Sequence, residues 1–130
     1  METTKSATVL IIEDDEDVRE SLSAVVSALG HQCVSFETAE SALIFEGLSS
    51  CDLMLVDNNL PGMSGAELLS ELRRHASEPP ACLYTGKISQ QLRETAVALE
   101  NTNLLEKGHN TNAITDYLRA TLNETDASDG

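Results

Sequence analysis

The stretch TVLIIEDDEDVRESLSAVVSALG, residues 8–30, changes character twice. Its first five residues, 8–12, are β-branched or apolar and read as a strand, and they run directly into five consecutive acids at 13–17. Beyond the acids, Val18, Leu22, Val25, Val26 and Leu29 recur at helical spacings until Gly30 supplies a stop. A strand therefore feeds a helix with one dry face. The acids between them favour the first turn of that helix, where the backbone dipole is positive.

The same punctuation returns along the chain. QCVSF (32–36), DLMLV (52–56), ACLY (81–84) and NLLE (103–106) are further strand candidates. Helix-length segments follow them: AESALIFEGL (39–48), GAELLSELRRHA (65–76), QQLRETAVALEN (90–101) and NAITDYLRATL (112–122). Thr38 and Ser89 are placed as N-caps, and Ser64 with Glu67 has the spacing of a capping box. Strand then helix, repeated, requires right-handed crossovers and a parallel sheet covered on both faces. That is also why the strands are apolar nearly throughout instead of alternating. The expected fold is α/β, a doubly wound five-stranded parallel sheet with five helices. The polar ends METTKS and NETDASDG should fray, leaving a core from about residue 7 to about residue 123.

A chain of 130 residues is long enough for one domain with a real core and too short for two of ordinary size, so 1–130 is read as a single domain. Aromatic residues make up 3% and Trp is absent, so Leu, Val, Ile and Ala must fill the interior. The formal charge of −14 opposes direct binding to nucleic acid or to an anionic membrane and favours a cation or a basic partner surface. No apolar run approaches the length of a spanning helix, and the first residues lack the apolar region of a secretory signal, so a cytoplasmic location is expected. Cys33, Cys51 and Cys82 are widely separated with no C-x-x-C pair and read as reduced core thiols. His31, His75 and His109 likewise lack metal-ligand spacing.

In an open parallel sheet every strand's carboxyl end lies at one edge, and ligands bind outside it. Glu13 and Asp14 leave the first strand there and Asp57 leaves the third, so adjacency of those strands would bring three carboxylates together. Two unit charges about 5 Å apart repel by roughly 3 kcal/mol at an effective dielectric near 20. A hard divalent cation offsets that repulsion. Mg²⁺ fits by its preference for oxygen ligands, with Mn²⁺ acceptable in its place. Thr85 ends the fourth strand and Lys107 follows the fifth. Together these groups suit phosphoryl transfer to an aspartate, with Asp57 as nucleophile and the cation, Lys107 and Thr85 each taking one phosphoryl oxygen.

Four separated motifs, VLIIEDDEDVRESL, DLMLVDNNLPGMSGAELLSELR, LYTGK and LLEKG, resemble in order and spacing the receiver domain of two-component response regulators. The resemblance covers nearly the whole chain and implies the flavodoxin-like strand order 2-1-3-4-5. It implies Asp14 as a direct Mg²⁺ ligand, Glu13 acting on the ion largely through water, Asp57 as phosphoacceptor, and Asn59 as the residue whose backbone carbonyl joins the metal site. Asp15, Glu16 and Asp17 are left to the helix start, while Pro61 and Gly65 shape the loop. The phosphoryl group would come from a histidine kinase, a phosphotransfer protein or a small donor such as acetyl phosphate. The domain would catalyse its own phosphorylation and dephosphorylation instead of acting as a turnover enzyme. Its output would be a surface on the fourth helix, fifth strand and fifth helix, read by an output protein or fused output domain and compatible with a phosphorylation-dependent homodimer.

Two positions depart from the family pattern. Gly108 follows Lys107 where a cis proline is usual, and a cis bond before glycine costs about 2.5–4 kcal/mol, so a trans bond with a rebuilt loop or visible strain is expected. Leu104 replaces an aromatic that commonly swings with the threonine, and Tyr84, beside Thr85, is the aromatic placed to substitute. These departures motivate the rival reading of a receiver-like module that works without phosphate. An aspartate-nucleophile phosphatase is disfavoured because Asn59 stands where its general acid would be. A nucleotide or flavin carrier is disfavoured because neither glycine-rich phosphate motif is present.

Overall fold

The computed structural model describes residues 6–75, 79–99, 101–107 and 112–127. The elements run β1 (Thr8–Ile12), α1 (Glu16–Ala28), β2 (Gln32–Phe36), α2 (Ala39–Leu43), a 3-10 turn (Leu48–Ser50), β3 (Leu53–Asp57), α3 (Gly65–His75), β4 (Ala81–Thr85), α4 (Gln90–Ala98), β5 (Thr102–Glu106) and α5 (Asn112–Ala127). The five strands form one sheet in the order β2-β1-β3-β4-β5, every pairing parallel. Expected fold and strand order are both observed.

Parallel pairing buries the three inner strands on both faces. Leu10, Ile12, Met54, Val56 and Leu83 face a core closed by Ala39 and Ala42 of α2, Leu68, Leu69 and Leu72 of α3, and Leu92 of α4. Val9, Ile11, Leu55, Cys82 and Tyr84 face the opposite core, closed by Leu22 and Val26 of α1 and by Ile114, Leu118 and Leu122 of α5. Cys51 and Cys82 are buried free thiols and Cys33 is partly buried; burial pushes Cys82 up to about 12, which keeps it protonated and inert. Among the described residues no helix is long and apolar enough to cross a membrane.

Local chemistry fixes the helix ends. Asp15 caps α1 by accepting the Val18 N–H at 3.1 Å. At the other end Gly30, at φ +90°, closes a Schellman motif in which its N–H reaches Ser27 O and that of His31 reaches Val26 O. Thr38 and Ser89 accept the N–H groups of Ser41 and Leu92. Ser64 and Glu67 exchange bonds of 2.9 and 3.1 Å, a complete capping box.

Several expected boundaries moved. β3 begins and ends one residue later than 52–56, because the Asp52 carboxylate accepts the Thr8 N–H at 2.9 Å and so brackets the strand from outside. β4 and β5 each gain a residue, Thr85 and Thr102. α2 stops at Leu43, not at residue 48, since Phe45 leaves the helical path to pack its ring, tilted by 56°, against Phe36 with centroids 5.2 Å apart, and Gly47 offers little helical preference. α4 stops at Ala98, because Leu99 turns extended and Asn101 takes φ +53°, a conformation asparagine tolerates. α5 continues to Ala127 past the expected end at Leu122, with no glycine or proline to interrupt it. His109 and the bond to Gly108 lie outside the described residues, as do 1–5 and 128–130.

Candidate functional site

β1 lies directly against β3, with Ile12 paired to Val56, and β3 lies against β4, with Asp57 paired to Tyr84. The carboxyl ends of three neighbouring strands therefore open at one place. There one carboxylate oxygen from each of Glu13, Asp14 and Asp57 lies within 4.8 Å of the others. Glu13 is 1% exposed and Asp57 4%, while Asp14 stands in solvent.

Each buried acid is held by donors. Glu13 Oε2 accepts the Asp15 N–H at 3.1 Å and Oε1 accepts the Tyr84 hydroxyl at 2.5 Å. Arg19 steadies the turn by donating to Glu13 O at 2.9 Å. Burial raises the Glu13 pKa from its ordinary value and the Asp57 charge adds to this, while the Tyr84 and Asp15 hydrogen bonds and the Lys107 charge oppose it. Burial, reinforced by Glu13, pushes the Tyr84 phenol up, so it remains a donor. Asp57 Oδ1 accepts the Asn59 N–H at 2.9 Å.

The loop after Asp57 is packed against it. Gly65 N–H reaches Asn58 O, and Asn58 Oδ1 accepts the Ala66 N–H at the start of α3. A Cβ at Gly65 would sit 2.5 Å from Asp57 O and 2.8 Å from side-chain carbons of Leu83 and Val56, so only glycine permits this approach.

Thr85 is buried at the end of β4, where its hydroxyl accepts the Asn59 side-chain amide at 3.2 Å. Lys107 donates its backbone N–H to Thr85 O at 2.7 Å. Its ammonium sits 5.4 Å from the centroid of the Tyr84 ring, and among the described residues it forms no ion pair with the three acids. The edge thus gathers Glu13, Asp14 and Asp57 closely, links Asn59 and Thr85 to them, and holds Lys107 at one remove.

Octahedral Mg²⁺ with ligands at about 2.0–2.1 Å places neighbouring oxygens about 2.9 Å apart and opposite ones about 4.1 Å apart. Three hard oxygen donors within 4.8 Å, two shielded from water and one open to it, fit such an ion. Sequence reasoning missed the Tyr84 to Glu13 bond, which spans 71 residues. Tyr84 is fully buried against the α1 and α5 side, with its hydroxyl bonded to Glu13. The signal lay in register parity: in a parallel sheet with Asp57 opposite residue 84, both side chains share a face.

Residues 9–119 match the family described as response regulator receiver domain. The chain is 38% identical over 80 residues to response regulator protein FleR of Pseudomonas aeruginosa, covering 62% of this chain and 17% of that protein. It is 32% identical over 119 residues to transcriptional regulatory protein FixJ of Azorhizobium caulinodans, covering 91% of this chain and 56% of that one. The chain therefore spans little more than half of FixJ and far less of FleR. Among solved structures, a CheY-like receiver domain from Methanospirillum hungatei superposes with a TM-score of 0.75 at 21% identity, covering 95% of this chain and 99% of that one. TrrA of Thermotoga maritima, solved in complex with Mg(2+)-BeF, gives 0.71 at 23%, covering 89% and 98%. With the sheet order, the converging acids and a family match from β1 into α5 all in agreement, this chain belongs to the receiver domains of two-component response regulators.

Proposed function

We propose that Asp57 accepts a phosphoryl group in a Mg²⁺-dependent reaction, with Mn²⁺ able to serve, and that the modified domain switches a partner-binding surface on α4, β5 and α5. The observation that carries this reading is the convergence of the Asp57 carboxylate with those of Glu13 and Asp14 at the ligand edge of the sheet. The fold it shares with TrrA, a protein solved with Mg(2+)-BeF, supports it further.

Asp14, Asp57 and the backbone carbonyl of Asn59 would hold the cation directly, with Glu13 acting largely through water. When bound, the ion offsets the repulsion among the acids and neutralises charge on the transferring group. The Asn59 N–H fixes Asp57 by Oδ1 and so presents Oδ2 as the nucleophile. That oxygen bonds to phosphorus as the donor's P–N or P–O bond breaks, its electron pair leaving with the imidazole or the carboxylate. Thr85 donates to a phosphoryl oxygen by turning its O–H away from Lys87 O, and Lys107 takes another by swinging from the Tyr84 ring. Movement of Thr85 and of Lys107, which is bonded to it through the backbone, reaches β5 and the flanking helices.

The donor would be a histidine kinase, a phosphotransfer protein or an acyl phosphate, encountered in the cytoplasm. The recipient of the signal is an output protein, a fused output domain or a second copy. The domain, read as residues 1–130, catalyses its own modification and hydrolysis and is not a turnover enzyme. Incubation with acetyl phosphate and Mg²⁺ followed by intact-mass measurement tests this. The parent gains one phosphoryl group and Asp57→Asn gains none; equal labelling of both, or of neither, overturns the assignment and, in the second case, leaves the phosphate-independent module.

A further inference from the structure

We infer that Tyr84 is a positioning residue that joins the two arms of the site: its hydroxyl sets the Glu13 carboxylate for the cation, and its ring carries the Lys107 ammonium. The inference rests on the phosphoacceptor reading above. Tyr84 is paired with Asp57 on one side and with Leu105 on the other, so it stands between the acid and the strand that delivers Lys107. Two residues beyond Leu105, Lys107 returns to the same sheet face, and its ammonium lies over the ring at 5.4 Å, within cation–π reach.

A phenylalanine or leucine would fill this fully buried place without importing a polar group that needs a partner. The partner it has is Glu13 Oε1, while the Asp15 N–H holds Oε2. With one donor on each oxygen the carboxylate is fixed in both position and plane, and its other lone pairs stay available. Outer partners orient metal-site carboxylates; because Glu13 acts on the cation largely through water, losing its partner weakens binding by less than the roughly 10–100-fold typical for a partner of a direct ligand.

Calorimetric titration of the full chain with Mg²⁺ should show Tyr84→Phe binding several-fold more weakly than the parent. In a Glu13→Gln background the same substitution should have no further effect, because its action passes through the carboxylate. At saturating Mg²⁺, Tyr84→Leu, which removes the ring, labels with acetyl phosphate several-fold more slowly than Tyr84→Phe, which retains it. Tyr117→Phe needs no change at the site: with Trp absent and two tyrosines in the chain, it leaves Tyr84 as the sole emitter, whose fluorescence must change as Mg²⁺ saturates. Parent-like Mg²⁺ affinity in Tyr84→Phe, a rate in Tyr84→Leu equal to that in Tyr84→Phe, or silent Tyr84 emission overturns the inference. A parent that binds no Mg²⁺ overturns the phosphoacceptor reading itself, a separate outcome.

Discussion

A methyl group added at Gly65 would meet the Asp57 carbonyl at 2.5 Å, and because that neighbour is backbone the loop cannot yield cheaply. Gly65→Ala should therefore cost about 1–3 kcal/mol by denaturant unfolding, in the range of other overpacked sites, and slow labelling at Asp57. Glu13 gives a second test at this scale. Its pKa is raised above the ordinary 4.5 by burial, so the native state holds this proton more tightly than the unfolded chain does. The stability it contributes is fully present below pH 4.5 and is lost as pH rises through the folded value. Glu13→Gln, which cannot ionise, should thus be more stable than the parent at pH 7 without metal and match it near pH 4, with saturating Mg²⁺ removing the advantage; thermal unfolding across pH reads this directly. Glu13, Asp14, Asp57 and Thr85 were legible as site candidates because polar residues at the ends of apolar strands announce themselves. Tyr84 was not, since within ACLYT it reads as one more apolar strand residue and its partner lies 71 residues away.

At the scale of elements, the alternation of short apolar runs with amphipathic segments specified five strands, five helices and their order. Every cap expected from the sequence, Thr38, Ser64 with Glu67, and Ser89, forms its hydrogen bonds, because these depend only on neighbours within a turn. What local pattern could not supply was the early end of α2 and of α4. The first is set by Phe45 reaching Phe36, and the second by the left-handed turn at Asn101 that leads into β5. Gly30 tests how far an element boundary depends on one residue. No atom lies within 4 Å of a Cβ built there, so any cost of Gly30→Ala comes from its φ of +90° alone. That cost should be about 1 kcal/mol of stability, measured by urea unfolding, with labelling at Asp57 unchanged.

Across the whole molecule, the strand order decides the chemistry. Placing β1 beside β3 turns two acidic strand ends, 44 positions apart between Glu13 and Asp57 (57 − 13), into a single charged cluster. In a chain of formal charge −14 such a cluster repels itself and its surroundings unless a cation is taken up. The doubly wound sheet also sets Lys107 at the same edge while keeping α4, β5 and α5 together as one flank, so a change at Asp57 has a short path outward. Crystals soaked in Mn²⁺ and measured at its absorption edge test the central claim most directly. The account predicts one anomalous peak at coordination distance from carboxylate oxygens of both Asp14 and Asp57, adjacent to Glu13; a peak elsewhere on the surface, or none at millimolar Mn²⁺, would contradict it.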